Sequence, residues 1–353
     1  YQSNLDEFYM VRVGTLMDQM ESSEVVRENK TNMTSKEQVK AIIDATRELD
    51  IKKAVIYEQL MGELEPQGIR IINFNKLSGK EGELLETYFD NEIAPYLSAN
   101  IISKQQPFPF LQNKEIYAVA LLATKGGKTK TATIPCSNNV FKRLIDIPTR
   151  PGTFMLSEEL ILHFLPKLFK KYEIKEKSLL RITRNADIDF NAVYDEDLDY
   201  RDKMAQIVKL RKKLAPVRLE LSRDINEDMI KQVCEYAEME EPHVFLNQAP
   251  LDLSFLFQIE DILRKDANLV YQRRVPQPSP MLKSNEHIIP QILDHDVLLS
   301  YPYESIKPFL QMLQEAARDP EVISIRMTLY RLARNSKVVE ALTEAAENGK
   351  HVD

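Results

Sequence analysis

Residues 319–350 read DPEVISIRMTLYRLARNSKVVEALTEAAENGK and carry the most informative pattern in this chain of 353 residues. Apolar residues on both faces at the start of 322–329 are typical of a buried parallel strand. Ser336 can cap the helix that follows, and the Asn-Gly pair at 348–349 can end it. A second parallel strand would then begin at 351–352. The pattern therefore predicts a βαβ unit.

Residues suited to phosphate binding follow the predicted strand. Tyr330, Arg331 and Arg334 come just past its carboxyl end and before the Ser336 helix. Ligands of open α/β sheets bind outside the carboxyl ends of strands. The arginine guanidinium is a rigid fork that matches phosphate oxygens, and a helix N-terminus favours an anion. One interpretation is a phosphate-facing loop, and the other is that these arginines pair with Asp or Glu.

The middle of the chain alternates predicted strands and helices, which indicates an α/β domain. Residues 116–124 and 129–134 flank a Gly-Gly pair that is typical of a primed turn, so they predict a hairpin. Pro166 should kink the helix that contains it. The other predicted strands are 69–72, 178–184 and 217–222, and the predicted helices are 80–97, 157–172, 197–214 and 226–239.

Glycine is scarce: the chain has 9, where ordinary usage would give roughly 25. The G-x-G-x-x-G and G-x-x-x-x-G-K-[ST] phosphate loops cannot be built from these positions. The sequence GGKT at 126–129 resembles the end of the second loop. However, Leu122 occupies the place of its first glycine, and a strand is predicted where that loop needs a helix.

Residues 1–65 are predicted to be helical. The strongest helix covers 35–62, with a capping box of Thr34 with Glu37 or of Ser35 with Gln38, and with a stop at Pro66 and Gly68. The residues predicted to lie on the buried faces are Leu5, Phe8, Val11 and Leu16, and then Val39, Ile42, Ile43, Thr46 and Leu49.

Composition excludes several classes of protein. The net charge of −7 argues against bulk binding to nucleic acid. Cys136 and Cys234 are far apart, which favours a reducing compartment over a disulfide scaffold. The sequence contains no run of 18 apolar residues and no signal-peptide pattern, so we expect no transmembrane segment. Because the chain begins with Tyr1 and stops at Asp353 as a strand begins, we expect it to be part of a longer protein.

The stretch 167–223 is locally basic. One interpretation is a solvated face that pairs with the acidic residues at 195–199. The other is an anion-facing or subunit-facing surface. The basic residues are Lys167, Lys170, Lys171, Lys175, Lys177, Arg181, Arg184, Lys209, Arg211, Lys212, Lys213, Arg218 and Arg223.

The five histidines show no metal-ligand spacing. His295 lies between Asp294 and Asp296, where a polar turn fits better than a metal cluster. From the residues alone, no catalytic centre can be assigned.

Three blocks of the sequence resemble bacterial polyphosphate kinase of the first type. They are N-L-D-E-F at 4–8 with Val11-Arg12, D-V-L-L at 296–299 with Y-P-Y at 301–303, and the 319–350 stretch with its Y-R-L-A. Their order and separation match the family, and the resemblance covers essentially the whole chain.

The resemblance implies a multidomain α/β fold. A helical N-terminal domain would cover 1–65, an α/β head domain 66–272, and the opening of a phospholipase D-like α/β catalytic domain 273–353. Independently, prolines at every second position from 276 to 280 place a boundary near 273, because such a run fits neither a helix nor a central strand.

The resemblance also implies an activity. The family transfers the terminal phosphate of ATP reversibly to polyphosphate through a phosphohistidine, with Mg²⁺, and works as a homo-oligomer. The implied location is cytoplasmic, with peripheral association with the inner membrane face left open.

Two site residues follow from the resemblance. Asn4 would contact the nucleotide, since an amide both donates and accepts hydrogen bonds. Arg331 would lie at the nucleotide phosphates beside Mg²⁺; because arginine stays cationic, it would bind phosphate and not the metal itself. The phosphorylated histidine, its partner histidine and a second phosphate-binding arginine would follow Asp353, so no catalytic residue is assigned within the chain.

Two other functions remain open at this point. The basic stretch 167–223 would suit a non-catalytic oligomerisation and anion-binding module. The predicted βαβ unit would also suit a phospholipase D-like phosphodiesterase, although the chain lacks the H-x-K-x-x-x-x-D motif of that class.

Overall fold

The computed structural model describes residues 1–353 except 21–26, 104, 138–139, 186–214, 265, 267, 273, 284, 331 and 334. The helix predicted over 197–214 lies outside the described residues. The chain forms two compact units, Tyr1–Ile262 and Leu263–Asp353. Both units mix helices with strands, which confirms the predicted fold class. The boundaries predicted after residues 65 and 272 stay predictions.

The first unit begins with helices. They are α1 (Gln2–Phe8), a π-helical segment (Tyr9–Val13), α2 (Gly14–Met20) and α3 (Ser35–Leu64). The Thr34–Glu37 capping box is confirmed: the Glu37 amide donates to the Thr34 hydroxyl, and the Thr34 amide donates to the Glu37 carboxylate at 2.7 Å. The Ser35–Gln38 alternative is wrong, because the Ser35 hydroxyl donates to Gln19.

The buried faces of these helices differ in part from the predicted ones. Phe8 and Val11 are 42% and 57% exposed, whereas the neighbouring Tyr9 and Val13 are fully buried. The wider π-helical turn changes the angular spacing that an α-helical pattern assumes. On α3, Leu49 is exposed because the buried stripe continues from Thr46 to Asp50.

The rest of the first unit contains strands, which form two sheets, and further helices. The strands are β1 (Arg70–Ile71), β2 (Asn100–Ile101), β3 (Ile116–Ala123), β4 (Thr129–Pro135), β5 (Leu144–Asp146), β6 (Thr153–Leu156), β7 (Glu173–Arg184), β8 (Pro216–Leu221) and β9 (Val244–Leu246). The helices are α4 (Gly79–Tyr88), α5 (Ser157–Leu168), α6 (Glu227–Ala237) and α7 (Leu256–Leu263). The larger sheet has the order β2-β4-β3-β7-β8-β9, and the smaller has the order β1-β6-β5.

The larger sheet is mixed. Its pairings are antiparallel except for the parallel pair β8–β9. The predicted hairpin is confirmed as β3–β4, but the two-residue primed turn is wrong. Residues 124–128 form a longer loop in which Gly127 has a φ of 76° and Gly126 has no positive φ. A strand follows the glycines, so the loop is no phosphate-binding P-loop.

Both faces of the larger sheet are buried. Alternate residues of β3 point to opposite faces. Ala118, Ala120 and Leu122 pack in one cluster with α4 and α5, and Tyr117 and Val119 pack in another with α6. The near-continuous apolar sequence of β3 follows from this double burial.

Helix α5 continues through Pro166 and ends at Leu168. Proline has no N–H, so the Leu162 carbonyl four residues earlier loses its usual helical donor. The Lys177 ammonium of β7 donates to that carbonyl at 2.8 Å. A lysine on the neighbouring strand thus satisfies the backbone group that Pro166 leaves open.

The second unit contains the predicted βαβ unit. Its elements are α8 (Ile288–Asp294), α9 (Lys307–Arg318), β10 (Ser324–Ile325), α10 (Lys337–Glu347) and β11 (His351–Val352). β10 and β11 pair in parallel, and Gly349 follows α10 with a φ of 81°. The strand is shorter than predicted, and Ile323 is 77% exposed, so its burial on both faces is wrong. Leu313, Ala317 and Ala345 form the small core with Ile325.

We expect Lys177→Met to lower the free energy of unfolding by about 1–3 kcal/mol, because it leaves the Leu162 carbonyl without a donor. Lys175→Met, on the same strand, removes only an exposed pair with Glu173 and should cost less than about 0.5 kcal/mol. Urea unfolding measures both. In a Pro166→Ala background, which restores a helical donor, the Lys177 effect should shrink. An undiminished effect there would contradict the account.

Candidate functional site

Helix α1 carries the N-L-D-E-F motif and exposes one of its faces. Asn4, Glu7 and Phe8 are exposed, while Asp6 is only 5% exposed. Asn4, the residue predicted to contact the nucleotide, therefore lies at the surface of the first unit. Its accessibility is compatible with that role, and the contact itself stays a prediction.

Asp6 enters a buried ion-pair network with strands β7 and β8. Its two oxygens accept from Arg181 Nη1 at 3.1 Å and Nη2 at 2.6 Å, and Arg218 Nη2 donates to its Oδ1 at 2.5 Å. Both arginines also donate to Glu220 Oε2 at 2.9 Å. Arg181 and Glu220 are direct cross-strand partners. Two acids and two bases thus balance one another beneath α1.

The electrostatic environment of the network keeps Asp6 and Arg218 ionised. Burial opposes ionisation of Asp6, but the hydrogen bonds and charges of Arg181 and Arg218 outweigh it and lower the pKa of the carboxyl. Burial likewise opposes the charged form of Arg218, but Glu220 and Asp6 raise the pKa of its guanidinium. Asp6 is therefore a carboxylate and Arg218 a cation at neutral pH.

Tyr9, in the π-helical segment, packs against the network. The Arg218 guanidinium carbon lies 4.8 Å from the centre of the Tyr9 ring, within the range of a cation–π interaction. Arg218 Nε and Nη1 have no hydrogen-bond partner among the described residues. The Tyr9 hydroxyl donates to Thr46 on α3 at 2.8 Å. Tyr9 therefore connects the arginine to the long helix.

The structure corrects the anion-facing interpretation of the basic stretch for two of its members, and the pairing with residues 195–199 stays a prediction. Arg181 and Arg218 are buried in the network, so they form no anion-facing surface. Lys167 pairs with Glu86 and Asp90, and Arg223 pairs with Glu159. Residues 209–213 and the acids at 195–199 lie outside the described residues.

A cavity of about 430 Å³ lies beside the network. It is lined by the end of α3, the start of α5 and the loop 247–251, which includes Asn247. The Asn247 amide donates to Glu220 at 2.8 Å. Two of the acids in its lining are already paired: Glu158 with Arg143 and Glu159 with Arg223.

The second predicted site residue cannot be placed. Arg331 and Arg334 lie outside the described residues, so the assignment of Arg331 stays a prediction. The preceding residue, Tyr330, is exposed, and α10 begins at Lys337.

Four of the five histidines have structural partners. The His163 ring stacks on Phe74 with 3.6 Å between centroids, and the buried His243 ring contacts the Val217 carbonyl. His287 pairs with Glu315, and His295 follows α8 beside Asp294. Within the described part of the chain, no three His, Cys, Asp or Glu side chains are arranged to hold a metal ion.

The two cysteines are buried and form no disulfide. Burial raises the pKa of Cys136 well above its ordinary value and that of Cys234 to about 11. Neither thiol is therefore a nucleophile at neutral pH. Separately, none of the helices described here combines the length and apolar character needed to cross a membrane.

Three family models match the chain in order. They are the polyphosphate kinase N-terminal domain over residues 1–72, the middle domain over 80–259 and C-terminal domain 1 over 287–353.

Sequence relatives give the same result. A polyphosphate kinase of Halalkalibacterium halodurans is 36% identical over 361 residues, which cover 100% of this chain and 50% of the relative. One from Bacillus cereus is 34% identical over 363 residues, covering 100% and 51%. The chain thus spans about half the length of the curated relatives it matches.

A solved structure shares the fold. The polyphosphate kinase from Porphyromonas gingivalis matches with a TM-score of 0.68 at 22% identity, covering 99% of this chain and 49% of that one. The fold and the N-terminal motif define a multidomain α/β protein whose helical N-terminus is anchored to a mixed sheet. The family models specify it further: the chain belongs to the polyphosphate kinase family.

Proposed function

We propose that this chain belongs to an enzyme that transfers the terminal phosphate of ATP reversibly to polyphosphate. The observation that carries the proposal is the order of the three family domains along residues 1–353. Relatives named polyphosphate kinase cover the whole chain and support it. ATP or ADP and inorganic polyphosphate would be the substrates.

The proposed reaction has two steps. A histidine nitrogen attacks the γ-phosphorus of ATP, the bond to the β,γ-bridging oxygen breaks, and ADP leaves with that bond's electrons. The terminal oxygen of polyphosphate then attacks the phosphohistidine and releases the free imidazole. A covalent intermediate divides one transfer into two easier steps. By family resemblance the histidine would lie outside residues 1–353, and residues of this chain would bind and orient the nucleotide.

Asn4 is proposed to contact the nucleotide. It is exposed on α1, and its carboxamide offers a donor and an acceptor to a base or ribose edge. Phe8, one helical turn later and 42% exposed, adds apolar surface next to it. This combination suits one edge of a nucleotide.

Arg331 is proposed to bind the nucleotide phosphates. Its fixed positive charge and planar fork suit phosphate oxygens, and electrostatic stabilisation of that kind is central to phosphoryl transfer. Mg²⁺ is proposed to accompany the nucleotide phosphates. A homo-oligomer in the cytoplasm completes the proposal.

The alternatives are less well supported. The anion-binding module depended on a basic surface, but Arg181 and Arg218 are buried and several other members are paired. The phosphodiesterase is not favoured, because residues 287–353 match the model of polyphosphate kinase C-terminal domain 1.

Phosphate transfer tests the proposal directly. The full-length protein that carries this sequence, incubated with γ-labelled ATP, should acquire an acid-labile and alkali-stable label that ADP removes. With ADP and polyphosphate it should form ATP. If neither the label nor ATP appears with protein that is folded, the proposed activity is wrong.

We expect Asn4→Ala in that protein to raise the KM for ATP roughly tenfold, equivalent to about 1.4 kcal/mol of lost binding, with little change in kcat. Asn91→Ala, the same change at another exposed position, is the matched control and should leave both constants near wild type. Steady-state kinetics with ATP as the varied substrate measures the difference. An unchanged KM in Asn4→Ala would exclude the proposed contact.

A further inference from the structure

The network beneath α1 joins parts of the chain that are far apart in sequence. Asp6 is separated by 175 residues from Arg181 and by 212 from Arg218. The same helix is held a second time at its start: Gln2 donates to the Leu251 carbonyl at 2.5 Å and accepts from the Leu253 amide at 2.9 Å. Two polar anchors therefore act on a helix of only seven residues.

The anchors and Asn4 lie on different sides of α1. An α-helix turns 100° per residue, so Gln2 and Asp6, four apart, share a face, while Asn4, two residues from each, points about 200° away. Holding Gln2 and Asp6 inward is therefore equivalent to holding Asn4 outward. This agrees with the observed burial of Asp6 and exposure of Asn4.

Asp6 fixes the rotation of the helix as well as its position. Each of its oxygens has a different set of donors: Oδ2 accepts from Arg181, and Oδ1 accepts from Arg181 and Arg218. A bidentate pair defines an orientation, whereas an apolar contact would tolerate rotation. An amide in this place would direct its own N–H groups at a guanidinium.

We propose that Asp6 is a positioning residue for the nucleotide: through Arg181 and Arg218 it fixes the rotation of α1 and holds Asn4 where ATP binds. The inference rests on the proposed contact between Asn4 and ATP. It assigns the acid of the N-L-D-E-F motif a role in affinity that it performs without touching the ligand.

The test compares two buried carboxylates in the full-length protein. Asp6→Asn should raise the KM for ATP about tenfold or more, a loss of at least about 1.4 kcal/mol, with kcat largely retained. Glu81→Gln is the matched control. Glu81 is 4% exposed and forms a bidentate pair with Arg150 at 2.7 Å, but it joins α4 to the turn 147–152 and not to α1. It should lower the urea midpoint and leave the KM for ATP within about twofold of wild type.

A second variant covers the case in which Asp6→Asn does not fold. Arg181→Lys keeps the buried charge but loses the bidentate fork, and it should also raise the KM for ATP. Both variants are assayed at a temperature where limited proteolysis shows the wild-type pattern.

The outcomes separate this inference from its premise. If Asn4→Ala raises the KM but the folded Asp6 or Arg181 variant does not, the positioning role is overturned and the Asn4 contact stands. If Asn4→Ala has no effect, the contact fails and the inference fails with it. If Glu81→Gln raises the KM as much as Asp6→Asn, the role of Asp6 is merely structural and the inference is overturned.

Discussion

The pairing of Asp6 with Arg181 and Arg218 is the interaction on which the architecture of the first unit depends. Burying charges is costly, and a buried pair often contributes little net stability compared with apolar residues of the same size. Here the cost is offset by a set of hydrogen bonds between two acids and two bases, and by the Tyr9 ring against the guanidinium of Arg218. Such a set specifies one arrangement, because any other leaves a buried charge unpaired.

As a consequence, the N-terminal helices and the larger, mixed sheet contribute side chains to the same hydrophobic cluster. Tyr9, Val13 and Leu16 pack in a single cluster with Val217 of β8 and Phe245 of β9. The same helices carry the exposed Asn4 on their outer side. Helix α1, which lies at the N-terminal end of the sequence, is thus tied to the sheet by ion pairs. Its position is set by residues more than 170 positions away.

Local signals in the sequence predicted much of the fold. The Thr34 capping box, the β3–β4 hairpin and the βαβ unit depend on residues close in sequence, and all three are present. The burial of Tyr9 and Val13 instead of Phe8 and Val11 was not predictable from an α-helical period, because a π-helical segment changes the period itself.

The candidate site was predictable only in part. A motif pointed to Asn4, but nothing local marks Asp6 as buried, since an acid on a short polar helix normally faces water. Arg218 and Glu220 alternate with apolar residues along β8, which usually indicates a half-solvated strand. All six residues of β8 are nevertheless buried, and Asp6 of α1 and Tyr9 of the π-helical segment pack against Arg218 on the charged face. The mutual position of these residues comes from tertiary packing, which a single sequence does not display.

The most direct measurement of the central claim is a double-mutant cycle between Asp6 and Arg218, read by urea unfolding of Asp6→Asn, Arg218→Met and the combined variant. The account predicts a coupling free energy above about 1.5 kcal/mol, because each single change leaves a buried charge without its partner. Additivity within about 0.5 kcal/mol would contradict it, since independent sites behave in that way.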